Sequence, residues 1–132
     1  MNLTLKRNLE TPITVKFEDD FVVNINGDGL DAELMGEYYA AFDENAYTVS
    51  HVGWGMSSSA RWESLAMFEK EPINGIELPA FAGNCLLSTG ANEFVGRFTG
   101  GHFDLPLRNC GIWLAEWQVI ENGVLLPPLA FT

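Results

Sequence analysis

Apolar and polar positions alternate through ITVKFEDDFVVNING, residues 13 to 27, on both sides of Asp19-Asp20. Alternation with a period of two is the signature of a half-buried strand, and an acidic pair at its centre predicts two strands joined by a tight turn. The period then lengthens. In DGLDAELMGEYYAAFD, apolar side chains recur at Leu30, Leu34, Tyr38 and Ala41, widened by Met35, Tyr39 and Phe42, which predicts an amphipathic helix with Asp28 or Asp31 serving its first turn. Glu33 and Glu37 fall on its solvated face. YTVSHVGWG reads as a β-branched strand entering glycines, and ARWESLAMFEK has helical spacing through Trp62, Leu65, Ala66 and Phe68 until Pro72 stops it. Ser57, Ser58 and Ser59 precede that helix as caps. Beyond residue 79 the blocks AFAGNCLLSTG, EFVGRFTG and HFDLPLRNCGIWLAEWQVIENGVLLP read as successive strands punctuated by glycines, with Asn122-Gly123 as a type I′ hairpin turn. The fold class expected is α+β: a mostly antiparallel sheet, barrel- or sandwich-like, with two helices.

Length and charge narrow the function. At 132 residues the chain reads as a single domain, 1–132, large enough to bury a core without disulfides. Cys85 and Cys110, both in apolar surroundings, are expected to be thiols. A net charge of -11 leaves no basic stripe to neutralise phosphates, so nucleic acid and anionic membranes are not expected partners. The first residues lack a signal-peptide pattern and no apolar run is long enough to span a bilayer, so the expected location is cytoplasmic.

The candidate chemistry lies in GGHFDLPLRNC. Side chains at i and i+2 of a strand leave the same face, so His102 and Asp104 point together while Phe103 turns into the core. The only other histidine, His51, stands at a comparable strand end in SHVGWG. Two histidines and a carboxylate are the donor set of a facial triad, which holds Fe(II) and leaves positions open for dioxygen and substrate. The same residues also fit hydrogen-bonded turn histidines with no ion. Both histidines neighbour glycines, where backbone can approach a ligand closely.

These blocks, HVGWG, ARW, AFAGNCLLSTG, HFDLPLRNC and the closing ENG hairpin, occur in an order and spacing that resemble the C-terminal catalytic region of the 2,5-dihydroxypyridine 5,6-dioxygenase family. Many members of that family carry the name leucyl aminopeptidase. The resemblance covers nearly the whole chain. It implies a mononuclear non-haem Fe(II) held by His51, His102 and Asp104, and extradiol-like opening of a hydroxylated pyridine with dioxygen. Members of the family carry a large N-terminal domain ahead of this region, so the resemblance also implies a homo-oligomer or a partner subunit in its place.

Around that triad four residues are candidate substrate contacts. Trp54 could stack on a planar ring or serve as a core indole. Ser88 and Thr89 offer hydroxyls to a heteroatom, and Arg108, four residues beyond Asp104, could anchor a substrate carboxylate or pair with an acid. Asn84 and Asn109 are candidates for orienting the imidazoles. Two other readings of the triad remain. Zn²⁺ or Mn²⁺ in the same place would make a hydrolase by lowering the pKa of bound water, and a vestigial triad would belong to a non-catalytic subunit.

Overall fold

The computed structural model describes residues 8–63 and 77–130. The strands are β1 (Thr14–Glu18), β2 (Phe21–Asn26), β3 (Val49–Trp54), β4 (Cys85–Asn92), β5 (Arg97–Leu107), β6 (Ile112–Leu114), β7 (Trp117–Glu121) and β8 (Val124–Leu125). The helices are α1 (Leu30–Ala40) and the single turn α2 (Glu77–Ala80). They make an α+β fold of three open sheets, ordered β1-β2, β3-β4-β5 and β6-β7-β8. The chain divides into two compact units, one of residues 1–51 with 87–105 and the other of 52–86 with 106–132. No helix among the described residues is long and apolar enough to cross a membrane.

In the first unit the opening hairpin forms as the alternation predicts. Asp19 and Asp20 both take positive φ, 47° and 68°, the geometry of a type I′ turn whose twist matches the strands it joins. One detail escapes strict alternation. Val22 and Ile25 are three apart yet both turn inward, because the register shifts between Lys16 and Phe17: Lys16 pairs with Asn24 and Phe17 with Val22. Val23 is the extra residue of a β-bulge, and it is exposed.

Helix α1 follows Gly29, whose φ of 91° is accessible to glycine at little cost, and no side chain caps it. Asp31, expected to serve the first turn, instead lies buried and accepts hydrogen bonds from the backbone N–H groups of Glu10, at 2.8 Å, and Thr11, at 3.4 Å. The stripe is also rotated from the expected one. Asp31, Met35 and Tyr39, at i, i+4 and i+8, are buried, while Leu30 and Tyr38 are exposed. Met35, Tyr39, Val22, Ala46 and Phe103 form the core of this unit, flanked by Val15, Phe17, Ile25, Phe42 and Leu105. Phe103 stacks on Tyr39 at 4.3 Å between ring centroids and meets Tyr38 and Phe42 edge-on.

Strands β4 and β5 are joined by only Glu93–Gly96, a connection too short for anything but an antiparallel pair. RFTG and HFDLPL, expected as separate strands, are one strand of 11 residues that runs straight through Gly100 and Gly101. Gly101 marks close packing. A Cβ on Gly101 would lie 2.8 Å from the Ala46 Cβ and 3.1 Å from the Phe42 ring, and one on Gly90 would lie 2.1 Å from the Gly101 carbonyl oxygen.

The second unit is built on the β6-β7-β8 meander, with Val119, Ile120 and Leu78 fully buried. Asn122 and Gly123 take φ of 48° and 78°, the expected type I′ turn between β7 and β8. Cys85 and Cys110 are free, partly buried thiols. Burial pushes both above the usual thiol range, and the neighbouring Cys110 raises Cys85 further. The helix expected from Ala60 to Pro72 falls mostly on residues 64–76, outside the described residues. Ala60 to Glu63 are not helical, so Ser57–Ser59 cap nothing that is described.

Candidate metal centre

Three neighbouring strands of the first unit deliver the candidate residues: β3 supplies His51, the central β4 supplies Ser88, and β5 supplies both His102 and Asp104. Alternation along β5 works as expected. Phe103 is 2% exposed in the core, so the residues on either side of it must leave the opposite face. There the Asp104 Oδ1 lies 3.5 Å from His102 Nε2 and 3.9 Å from His51 Nε2. The two imidazole rings stack at 5.7 Å with 26° between their planes. One donor atom from each of the three residues lies within 4.8 Å of the others.

Ser88 occupies the floor of this cluster. It is fully buried, its Oγ is 3.0 Å from His51 Nε2, and it donates a short hydrogen bond to Asp104 Oδ1. Ser50 meets the other side of the same imidazole: its Oγ is 3.3 Å from His51 Nδ1 and donates to the Ala91 carbonyl at 2.6 Å. Each hydroxyl has one hydrogen, and both hydrogens are committed elsewhere. A neutral His51 can therefore donate to Ser50 through Nδ1 or to Ser88 through Nε2, but not to both. The first tautomer leaves the Nε2 lone pair facing the Asp104 carboxylate, an arrangement satisfied by a cation between them.

The donor set fits such a cation. Two imidazole nitrogens and one carboxylate oxygen on one side, with the rest open, is the pattern of a metal centre that keeps positions for other ligands. At bond lengths of about 2.0–2.2 Å two donors of one ion lie no more than about 4.4 Å apart, so the widest pair need close by only a few tenths of an ångström. The site is also reachable, since His51 and His102 side chains are 50% and 45% exposed and Asp104 is 29% exposed. As plain ion pairs, groups this accessible would contribute little to stability.

A pocket of about 620 Å³ opens beside the two imidazoles, with Ala91, Asn92, Phe94 and Val95 among its walls. Of the residues nominated as substrate contacts, only Ser88 joins the triad. Thr89, its neighbour on β4, faces the other way: it is fully buried, and its hydroxyl bonds the Tyr39 hydroxyl at 2.5 Å. Trp54 belongs to the second unit, where its indole nitrogen is buried. Arg108 lies beyond the end of β5, so it does not share the strand face of Asp104. Its guanidinium sits over the Trp62 and Phe81 rings of its own unit, 5.8 and 5.6 Å from their centroids.

Asn84, expected near the imidazoles, is instead a structural bracket of the second unit. It accepts from Gly55 N–H at 2.6 Å and donates to the Leu78 carbonyl. Asn109 is an exposed turn residue with φ of 57°. Two residues escaped the sequence reading. Ser50 stands next to His51 in the chain, the one signal that it could serve that imidazole. Phe94, the aromatic lining the pocket, sits in a connection between strands, where no periodicity singles it out.

Comparison with known proteins places the chain in a family. The sequence profile of 2,5-dihydroxypyridine 5,6-dioxygenase matches residues 1–127. The 2,5-dihydroxypyridine 5,6-dioxygenase of Pseudomonas putida is 36% identical over 129 residues, which cover 96% of this chain and 37% of that protein. The solved structure of the 2,5-dihydroxypyridine dioxygenase from Pseudomonas putida superposes with a TM-score of 0.86 at 34% identity, again over 96% of this chain and 37% of the other. The chain thus spans a little over a third of the length of its relative. With the profile matched along almost the entire sequence, this chain belongs to the 2,5-dihydroxypyridine 5,6-dioxygenase family.

Proposed function

We propose that the chain carries the iron centre of a dioxygenase that opens the ring of a small hydroxylated aromatic such as a dihydroxypyridine. His51, His102 and Asp104 would hold a single Fe(II). The observation that carries the reading is the convergence of those three donors within 4.8 Å in a member of this family. Fe(II) would supply a redox-active centre with open positions, on which both dioxygen and a substrate hydroxyl can be activated and both oxygen atoms delivered to the product.

The chain's own residues have narrower tasks. His51 and His102 offer lone pairs and so cannot act as bases while they do. Ser88 donates to Asp104 Oδ1, which orients the carboxylate. The pocket walls Ala91, Val95 and Phe94 present apolar surface to a planar ring, with Phe94 free to stack on it. A homo-oligomer or a partner subunit would complete the enclosure, and light scattering of the purified chain tests for the former.

The test is reconstitution without oxygen. Protein purified anaerobically and loaded with Fe(II) should consume dioxygen when given 2,5-dihydroxypyridine, and His102→Ala should lose both iron and turnover. An enzyme active only with Zn²⁺ under nitrogen would replace the dioxygenase with a hydrolase on the same residues. Iron retained by His102→Ala would remove the triad from the account.

A further inference from the structure

The Ser50 hydroxyl is placed as a device for His51 rather than as an ordinary strand side chain. Its hydrogen goes to the Ala91 carbonyl on the neighbouring strand at 2.6 Å, so its remaining lone pairs can only accept. His51 Nδ1 lies 3.3 Å from the Ser50 Oγ. The Ser50 backbone is fixed as well, because the Asn92 side-chain amide donates to the Ser50 carbonyl at 2.8 Å. A hydroxyl whose hydrogen is committed and that can only accept selects one tautomer of the imidazole beside it.

We propose that Ser50 is a positioning residue: it holds a proton on His51 Nδ1 and thereby keeps Nε2 unprotonated and aimed at Asp104 for a metal ion. Metal-bound imidazoles regularly use their second nitrogen in this way, and loss of such a partner costs about 10–100-fold in metal affinity. The inference rests on the metal reading of His51, His102 and Asp104, but it concerns a residue that touches no ion itself. It also separates the two serines at His51. Ser88 meets the nitrogen that faces the cluster, and Ser50 meets the nitrogen that faces away from it.

The experiment uses the full chain and needs no turnover. Binding of Co(II), by its visible absorption, and of Zn(II), by calorimetry, is measured for the wild type, Ser50→Ala, Ser50→Thr and Asn92→Ala, each first shown to be folded by circular dichroism. In the Zn(II)-loaded proteins, the exchangeable imidazole protons are followed by NMR, with only two histidines in the chain to assign. Ser50→Ala should bind at least about tenfold more weakly and lose the His51 Nδ1 proton resonance to exchange, while Ser50→Thr should restore both. Asn92→Ala, which loosens the Ser50 backbone but leaves the hydroxyl in place, should lose less affinity than Ser50→Ala and keep the His51 Nδ1 resonance.

Ser50→Ala binding as tightly as the wild type, with the resonance retained, overturns the proposal. So does a loss in Asn92→Ala as large as in Ser50→Ala, which would show the effect to be structural. A wild type that binds neither metal overturns the metal centre itself, a result distinct from either of these.

Discussion

Replacing Gly90 with alanine should disturb the candidate metal centre without touching any of its residues. Gly90 lies on β4 two residues after Ser88, with φ of +106°, and an added Cβ would sit 2.1 Å from the carbonyl oxygen of Gly101, the residue before His102. Two costs combine. Holding alanine at that φ is worth about 1–3 kcal/mol of strain. The Cβ is also about 1.3 Å short of an ordinary 3.4 Å contact with a backbone atom that cannot rotate away, so β5 must move, at an overpacking cost of about 1–3 kcal/mol. A total of about 2–6 kcal/mol is a large part of the 5–15 kcal/mol that typically holds a domain together. The movement matters more for function, since metal ligands tolerate displacements of only about 0.5 Å. Urea denaturation followed by tryptophan fluorescence should show the loss of stability, and Co(II) titration at low denaturant should show affinity reduced by more than tenfold. Gly53→Ala on β3 is the control: it has no positive φ and nothing within 4 Å of the added Cβ, so it should stay within about 0.5 kcal/mol of the wild type. A Gly90→Ala protein with wild-type stability and Co(II) affinity would refute the claim that close approach of β4 and β5 sets the spacing of the triad.

Other changes should act in their own directions. Gly36, inside α1 with open space around its absent side chain, should give about 0.5–1 kcal/mol of added stability as Gly36→Ala, read from the thermal midpoint. Tyr39→Phe leaves the buried Thr89 hydroxyl without its partner and should cost about 1–3 kcal/mol at neutral pH. Burial pushes the Tyr39 hydroxyl up to about 12, so the folded protein resists ionising it where the unfolded chain, near 10, does not. The stability from this group is complete below pH 10 and is lost between about pH 10 and 12; the gap between wild type and Tyr39→Phe should therefore narrow across that window in urea melts, and parallel curves would contradict the assignment. If the pocket beside the imidazoles seats the ring, Phe94→Ala should raise KM for the aromatic several-fold in dioxygen-uptake assays while leaving Co(II) affinity unchanged.

Features governed by neighbours in the chain were legible in the sequence. Asp19-Asp20 and Asn122-Gly123 form the turns their residue types favour, and the strict alternation of His102, Phe103 and Asp104 places a core aromatic between two candidate ligands because a strand has only two faces. The bulge at Val23 was not legible, since an extra residue in one strand is defined only by the register of its partner. The same limit explains Thr89 and Arg108. Their chemistry suited a substrate, but whether a hydroxyl meets Tyr39 or a guanidinium meets Trp62 depends on contacts 50 and 46 residues away in sequence.

The glycines show how residues can be brought together for a reason other than the one the sequence suggested. Gly101 beside His102 suggested room for a ligand; in the fold it lets β5 press on Ala46 and Phe42, and Gly90 lets β4 press on Gly101. Tight seating of this kind bears on chemistry all the same. Metal coordination needs donors from separate strands held to within a fraction of an ångström, and strands that meet backbone to backbone have less freedom to shift than strands spaced by side chains. The apolar face and the ligand face of β5 are thus one design. Phe103 anchored against Tyr39 holds the strand down, Gly90 and Gly101 set its distance from β4, and His102 and Asp104 inherit that precision on the other side. On this argument, loosening the core at Phe103 should weaken metal binding even though its ring lies on the far face of the sheet.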